Sequence, residues 1–340
     1  MKTIVQLFLL CCALTASIAL AKPPNAAGSL YVPAWGGSTA TQGSVFRFNA
    51  SNGEFEEVVI GPLGIDIIPG MTLGPDRHLY LSVLDTQNNQ NGRVLRYDLK
   101  GRSRGEFIVP GSGGLEFPAG LRFGLDGLLY VTSNSPAIDK LLRFDRRGRF
   151  AGVVATNLIT PQDVVVAPDG SLLVSNGNSF ASSIYSYDPV TDGFVGAFVP
   201  SGSGGLQNPT GMAFGPDGHL YVISFPTNSV FKFDGASGAF VSIFASLDGI
   251  GIDTPTDLVF GPDGNLYVLA RIGGDGTVVR LDGNKGTFID FFVDGASASM
   301  GIGNTGMLFI DEGCARYGDN GLRNRCFPVV SKSRSNRPPR

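Results

Sequence analysis

Two aspartates stand where the pattern of the surrounding chain asks for glycine: Asp163 in PQDV and Asp257 in PTDL. With Asn134 and Asn176 at the ends of nearby apolar segments, they would make an oxygen-rich ligand set of the kind that takes Ca2+ or another divalent cation. An Asp at a strand start serves equally well as an acceptor for nearby backbone amides. Residue types alone leave both roles open. The two histidines, His78 in PDRHLYL and His219 in PDGHLYV, each directly follow a tight turn and are expected to be exposed there. Two imidazoles do not complete a histidine zinc site. The segment GSGGL occurs at 111–115 and again at 202–206. No helix or GK[ST] follows either copy, so a flexible loop is expected rather than a phosphate cradle.

The four cysteines divide by position. Cys11 and Cys12 lie in an apolar run from Ile4 to Ala13 that follows Lys2 and precedes the small-residue pattern Ala19-Leu20-Ala21. This is the pattern of a signal peptide cleaved after Ala21, and it places the protein on the secretory route, extracellular or periplasmic. In that compartment Cys314 and Cys326 form an even pair, expected to close a disulfide that staples the C-terminal segment and leaves no thiolate for catalysis. The closing SKSRSNRPPR, with four cations, no acid and two prolines, is expected to be a disordered basic tail. A formal net charge of -3 gives no reason to expect nucleic acid as a partner. The leader aside, no apolar stretch is long enough to span a membrane, and a monomer is expected. Asn49-Ala50-Ser51 is a glycosylation sequon if the pathway is eukaryotic.

The elements that must position these residues follow from an internal repeat. The turn LGPDR, FGLDG, VAPDG, FGPDG and FGPDG places Asp76, Asp126, Asp169, Asp217 and Asp263 at intervals of 50, 43, 48 and 46 residues. Each interval holds four apolar segments: one before the turn, a Leu-Tyr-Val type segment after it, an alternating segment such as VLRYD or VFKFD, and a Phe/Val segment such as FVSIFA. Period-two alternation separated by Pro-Asp-Gly turns reads as a four-stranded antiparallel meander. A composition with 48 glycines and 16% charged residues suits a turn-rich all-β chain. The first copy, SLYVPAW–VFRFN–FEEVVI, lacks its first strand, and GNTGMLFIDEG near the other end supplies one with no blade after it. The expectation is a six-bladed β-propeller over residues 28–313, closed by pairing the C-terminal strand with the N-terminal blade.

PTGMAFGPDGHLYV and PAGLRFGLDGLLYV resemble the six-bladed propellers of the NHL-repeat and senescence-marker-protein/gluconolactonase group. That resemblance implies a central channel lined by first strands, with sites among the loops at one mouth. It also implies metal-binding Asn or Asp at the position before the glycine of the Pro-x-Gly entry, where this chain has Pro69, Ala119, Gln162, Thr210, Thr256 and Thr305. The early glutamate of the lactonase pattern is replaced by SLYVPAWGG, and the mouth histidines of streptogramin-lyase and peptidyl-hydroxyglycine-lyase relatives have no counterpart.

Two functions are therefore compatible with the chain. One is a secreted module that binds a small molecule, glycan or protein at the mouth, with Trp35, Phe180 and Phe225 as an aromatic rim and no cofactor. The other is a lactonase- or esterase-type hydrolase using a divalent cation held by Asp163, Asp257, Asn134 and Asn176. The departures from the lactonase pattern favour the binding module.

Overall fold

The computed structural model describes residues 28–34, 43–64, 67–84, 92–135, 137–177, 182–273, 275–294 and 306–311. The leader, the Cys314 and Cys326 pair and the basic tail lie outside the described residues, as do Thr305, Trp35 and Phe180.

The strands run in chain order through six sheets. Strands β1 (Ser29–Ala34), β2 (Ser44–Asn49) and β3 (Phe55–Ile60) begin blade 1. Blade 2 is β4 (Ile67–Leu73), β5 (Leu79–Leu84), β6 (Arg93–Tyr97) and β7 (Ser103–Ile108). Blade 3 is β8 (Phe117–Phe123), β9 (Leu129–Asn134), β10 (Asp139–Phe144) and β11 (Phe150–Leu158). Blade 4 is β12 (Val164–Val166), β13 (Leu172–Asn176), β14 (Ser183–Asp188) and β15 (Gly193–Val199). Blade 5 is β16 (Pro209–Phe214), β17 (Leu220–Ser224), β18 (Ser229–Phe233) and β19 (Phe240–Ser246), and blade 6 is β20 (Asp257–Phe260), β21 (Leu266–Ile272), β22 (Asp275–Leu281) and β23 (Phe288–Val293). The last strand, β24 (Leu308–Ile310), returns to blade 1, whose order is β24-β1-β2-β3. Leu30 faces Phe309 and Tyr31 faces Leu308 across that antiparallel seam, so the two ends of the propeller share one sheet. The protein is an all-β, six-bladed propeller closed as its repeat predicts.

Burial explains the four strand types. The Leu-Tyr-Val strand lies between two neighbours within its sheet and between two blades, and is buried on both faces: Leu129, Tyr130 and Val131 are all fully buried. The fourth strand forms the outer rim and exposes residues such as Phe194, Val195 and Ile243. Six apolar clusters result, one in each interface between neighbouring blades. In several blades the tyrosine is the keystone. Tyr221 meets Phe244 of its own outer strand and Phe260 of the next blade edge-on, with ring centroids 4.9 Å away in each case. Such pairs add about 0.5–1.5 kcal/mol each beyond the area they bury. The hydroxyl of Tyr221 donates to Asp217 Oδ2 at 2.9 Å, so the turn aspartate also fixes the ring.

Turns between third and fourth strands dock on the previous blade. At Gly148, φ is +74° and a Cβ would lie 1.7 Å from the Phe107 carbonyl oxygen, so only glycine fits there. The GSGGL segments are not the flexible loops their composition suggests. Each forms a 3-10 turn, Ser112–Gly114 and Ser203–Gly205, and buries the following Leu115 or Leu206. The physical reason is the ring beneath: Gly113 packs on Phe150 and Gly204 on Phe240, approaches that a side chain would block.

Candidate functional site at the hub and mouth

First strands meet around the axis, where each Pro-x-Gly glycine lets the neighbouring blade come close. A Cβ on Gly120 would sit 2.6 Å from Asp163 Cα, and one on Gly211 would sit 2.7 Å from Asp257 Cα. The backbone N–H of Gly120 donates to the Gln162 carbonyl at 2.8 Å and that of Gly211 to the Thr256 carbonyl at 3.0 Å. Blades 3 and 4, and blades 5 and 6, are joined in this way.

The two aspartates at the equivalent position join the next pairs with their side chains. Asp163 Oδ2 accepts the Met212 N–H at 3.0 Å, across from blade 4 to blade 5, while its Oδ1 accepts from Val164 at 2.8 Å. Asp257 Oδ2 accepts the N–H groups of Gly306 and Met307, each at 2.8 Å, tying blade 6 to the closing strand of blade 1. Both aspartates are buried. Glycine in four blades and aspartate in two thus serve one purpose, close contact around the axis.

The hub also contains a residue that composition and repeat analysis did not single out. Arg122 on β8 occupies a position held by Thr72, Val165, Ala213, Val259 and Leu308 in the other blades. Its Nε donates to the Val164 carbonyl at 3.5 Å. A lone cation at an otherwise apolar or hydroxylated repeat position was the signal available in the sequence. Burial pushes the Asp163 carboxyl up to about 7, Arg122 pulls it back down, and the charge of Asp257 raises it again. Asp257 is raised as well, chiefly by burial, against the backbone N–H groups of Met307 and Gly306.

The two asparagines fall differently. Asn176 Oδ1 accepts the Ile159 N–H at 2.7 Å and so holds the loop before blade 4's first strand. Asn134, at the mouth end of β9, has a buried Oδ1 with no partner among the described residues, and Thr210 Oγ1 at the start of β16 is in the same condition. Phe225 begins a short 3-10 turn, Phe225–Thr227, at the mouth end of β17 and is half-buried. Asn49 ends β2, and its Oδ1 accepts from Ser51 N and Oγ. The histidines are half-buried rather than open: His78 Nδ1 lies 3.0 Å from Asp76 Oδ2 and His219 Nδ1 lies 3.8 Å from Asp234 Oδ2. His78 Nδ1 also lies 3.1 Å from the Asp76 carbonyl oxygen, whereas His219 Nδ1 has no hydrogen-bond partner among the described residues.

Backbone amides thus occupy both oxygens of Asp163 and Oδ2 of Asp257, and the charge of Arg122 favours the ionised form of both acids. Among the described residues no group of three or more His, Cys, Asp or Glu side chains is placed to hold a metal ion. No helix of the described residues is long and apolar enough to cross a membrane.

No family model and no curated protein matches the chain. Solved structures do. A chain from the crystal structure of a nidogen/laminin complex superposes with a TM-score of 0.65 at 16% identity, covering 84% of this chain and 99% of that one. A putative gluconolactonase gives 0.53 at 20% identity, over 68% of this chain and 79% of its own. A protein of unknown function from Bacteroides caccae gives 0.57 at 14% identity, over 83% and 98%. The chain is thus a six-bladed propeller similar in fold both to a chain of a nidogen/laminin complex and to a gluconolactonase-like propeller.

Proposed function

We propose that this protein is a secreted binding propeller that holds a small-molecule, glycan or protein ligand through its mouth-face loops. The observation that supports this reading most strongly is the engagement of Asp163 and Asp257. Their oxygens accept N–H groups of the adjoining blades, which supports a role in the ring over one as ligands or bases. At the mouth, Asn134 Oδ1 and Thr210 Oγ1 are buried polar atoms without partners among the described residues, and a ligand's polar groups would satisfy them. Likeness to a chain of a nidogen/laminin complex supports a binding role at the level of fold.

A second reading, a divalent-metal lactonase or esterase, is favoured by the same unpartnered Asn134 oxygen and by the gluconolactonase-like neighbour. Its ligands would be Asp163, Asp257, Asn134 and Asn176, and its metal would polarise a lactone or ester carbonyl and activate water. Arg122 beside the acids weighs against it. Metal analysis of protein purified without chelator, followed by a lactone and aryl-ester panel, separates the two. Binding-module behaviour is no stoichiometric metal and no turnover; a stoichiometric cation lost together with turnover in Asp163→Ala would establish the hydrolase instead.

A further inference from the structure

Charge is unevenly distributed around the ring. From 93 to 149 the chain has 11 Lys/Arg against six Asp/Glu; from 150 to 311 it has four against 15. The basic stretch forms the third and fourth strands of blade 2 and most of blade 3, and its arginines gather on the turns that face away from the mouth.

That surface is continuous across the blade junction. The β10–β11 turn carries exposed Arg146, Arg147 and Arg149, and its Gly148 abuts the Phe107 carbonyl of β7. On the blade 2 side Lys100, Arg102 and Arg104 are exposed. Arg102 Nε and Arg104 Nη2 both lie on Asp98 Oδ2, at 2.6 and 3.0 Å, which orients them and leaves their other N–H groups outward. A shallow cleft of about 490 Å3 opens here, lined by Asp126, Leu128, Asp145, Arg146, Arg147 and Arg149. Arg146 Nη2 donates to the Asp126 carbonyl at 3.1 Å and Arg149 pairs with Asp145 at 2.7 Å. The Arg147 guanidinium has no protein partner among the described residues.

We infer that this cleft and its arginine border dock a sulfated polysaccharide. Two observations select that chemistry. Arginines in a fork geometry suit the oxygens of sulfate or carboxylate groups. Asp126 and Asp145 are engaged within the fold, by Leu128 N and the Tyr130 hydroxyl and by the Arg147 and Arg149 amides and the Arg149 guanidinium, so they hold the border in shape while Arg146 and Arg147 face the ligand. None of the lining residues is aromatic, whereas single-stranded nucleic acids are held largely by stacking bases on rings. The acidic remainder of the ring repels a polyanion and confines it to blades 2 and 3. The surface is separate from the mouth, so this inference goes beyond the ligand proposed there.

The test is a titration of the full chain with a heparin oligosaccharide at several salt concentrations. Three variants accompany it: Arg146→Ala/Arg147→Ala/Arg149→Ala; the single Arg147→Ala, which removes no contact within the fold; and Lys332→Ser/Arg334→Ser/Arg337→Ser/Arg340→Ser in the tail. The expected result is salt-sensitive binding that the triple variant weakens about tenfold or more, with the slope of log Kd against log salt reduced by about two to three, one per lost contact. Arg147→Ala weakens binding in the same direction and keeps the wild-type melting temperature, and the tail variant leaves binding unchanged. Unchanged affinity in the cleft variants, loss confined to the tail variant, or tighter binding to single-stranded DNA of matched charge would overturn the inference. So would self-association of the wild type that the triple variant abolishes.

Discussion

The carboxylate of Asp257 at the start of β20 accepts the backbone N–H of Gly306, 49 residues later, at 2.8 Å. One side chain thereby ties the sixth blade to the strand that closes the first. Asp163 does the same for blades 4 and 5 through Met212, also 49 residues on. In both cases the interval is close to one repeat, so the same geometry is written twice into the ring.

Removing this tie leaves buried amides without an acceptor. Asp257→Ala is expected to lower stability by roughly 2–3 kcal/mol, since each unsatisfied buried donor costs about 1–3 kcal/mol. Urea unfolding of the two proteins checks it, and a loss below about 0.5 kcal/mol would place the residue among ordinary surface substitutions.

Protonation gives a second check. The native Asp163 carboxyl titrates at about 7, raised by burial, whereas in the unfolded chain it titrates at about 3.9. Between these values the folded state binds more protons than the unfolded state, so stability falls as pH rises through the window from about 4 to about 7. Asp163→Asn removes the titrating group and is expected to flatten that part of the profile. Urea midpoints measured at intervals of pH in both proteins would reveal it; parallel profiles would count against a raised carboxyl.

A third prediction concerns the repeated Tyr–Asp pair. Tyr80, Tyr130, Tyr221 and Tyr267 each donate a hydroxyl hydrogen bond to the aspartate four residues earlier, at 2.8 to 2.9 Å. Tyr267→Phe keeps the ring contacts with Phe292 and Phe309 and loses the hydroxyl's interactions with Asp263 and Arg280. The expected cost is about 1 kcal/mol. Thermal unfolding of the corresponding Phe variants in blades 2, 3 and 5 should give similar values, because the local geometry is shared.

Much of this was legible in the chain. The Pro-Asp-Gly turns and Leu-Tyr-Val strands specify each meander locally, and the missing first strand at one end with a spare one at the other specifies closure. The anomaly of Asp163 and Asp257 at glycine positions was visible too. What they bind was not, because their partners are backbone amides of the following blade, and an amide carries no mark in a sequence. Arg122 is inconspicuous for a related reason: its importance comes from acids on blades 4 and 6, which its neighbours in sequence do not reveal. The GSGGL turns read as flexible by composition, while Phe150 and Phe240, distant in sequence, supply the surfaces that order them. Of the aromatic rim only Phe225 falls within the described residues.

The central claim is that the hub acids belong to the ring and not to a metal. It is tested most directly by following the urea midpoint of the wild type and of Asp257→Ala across a Ca2+ titration, with a chelator-treated sample as the zero point. The predicted result is a midpoint for each protein that does not move with Ca2+, separated by the constant cost of the lost hydrogen bonds. A wild-type midpoint that climbs with Ca2+, as ligand binding to the native state requires, and that ceases to climb in Asp257→Ala would contradict the account.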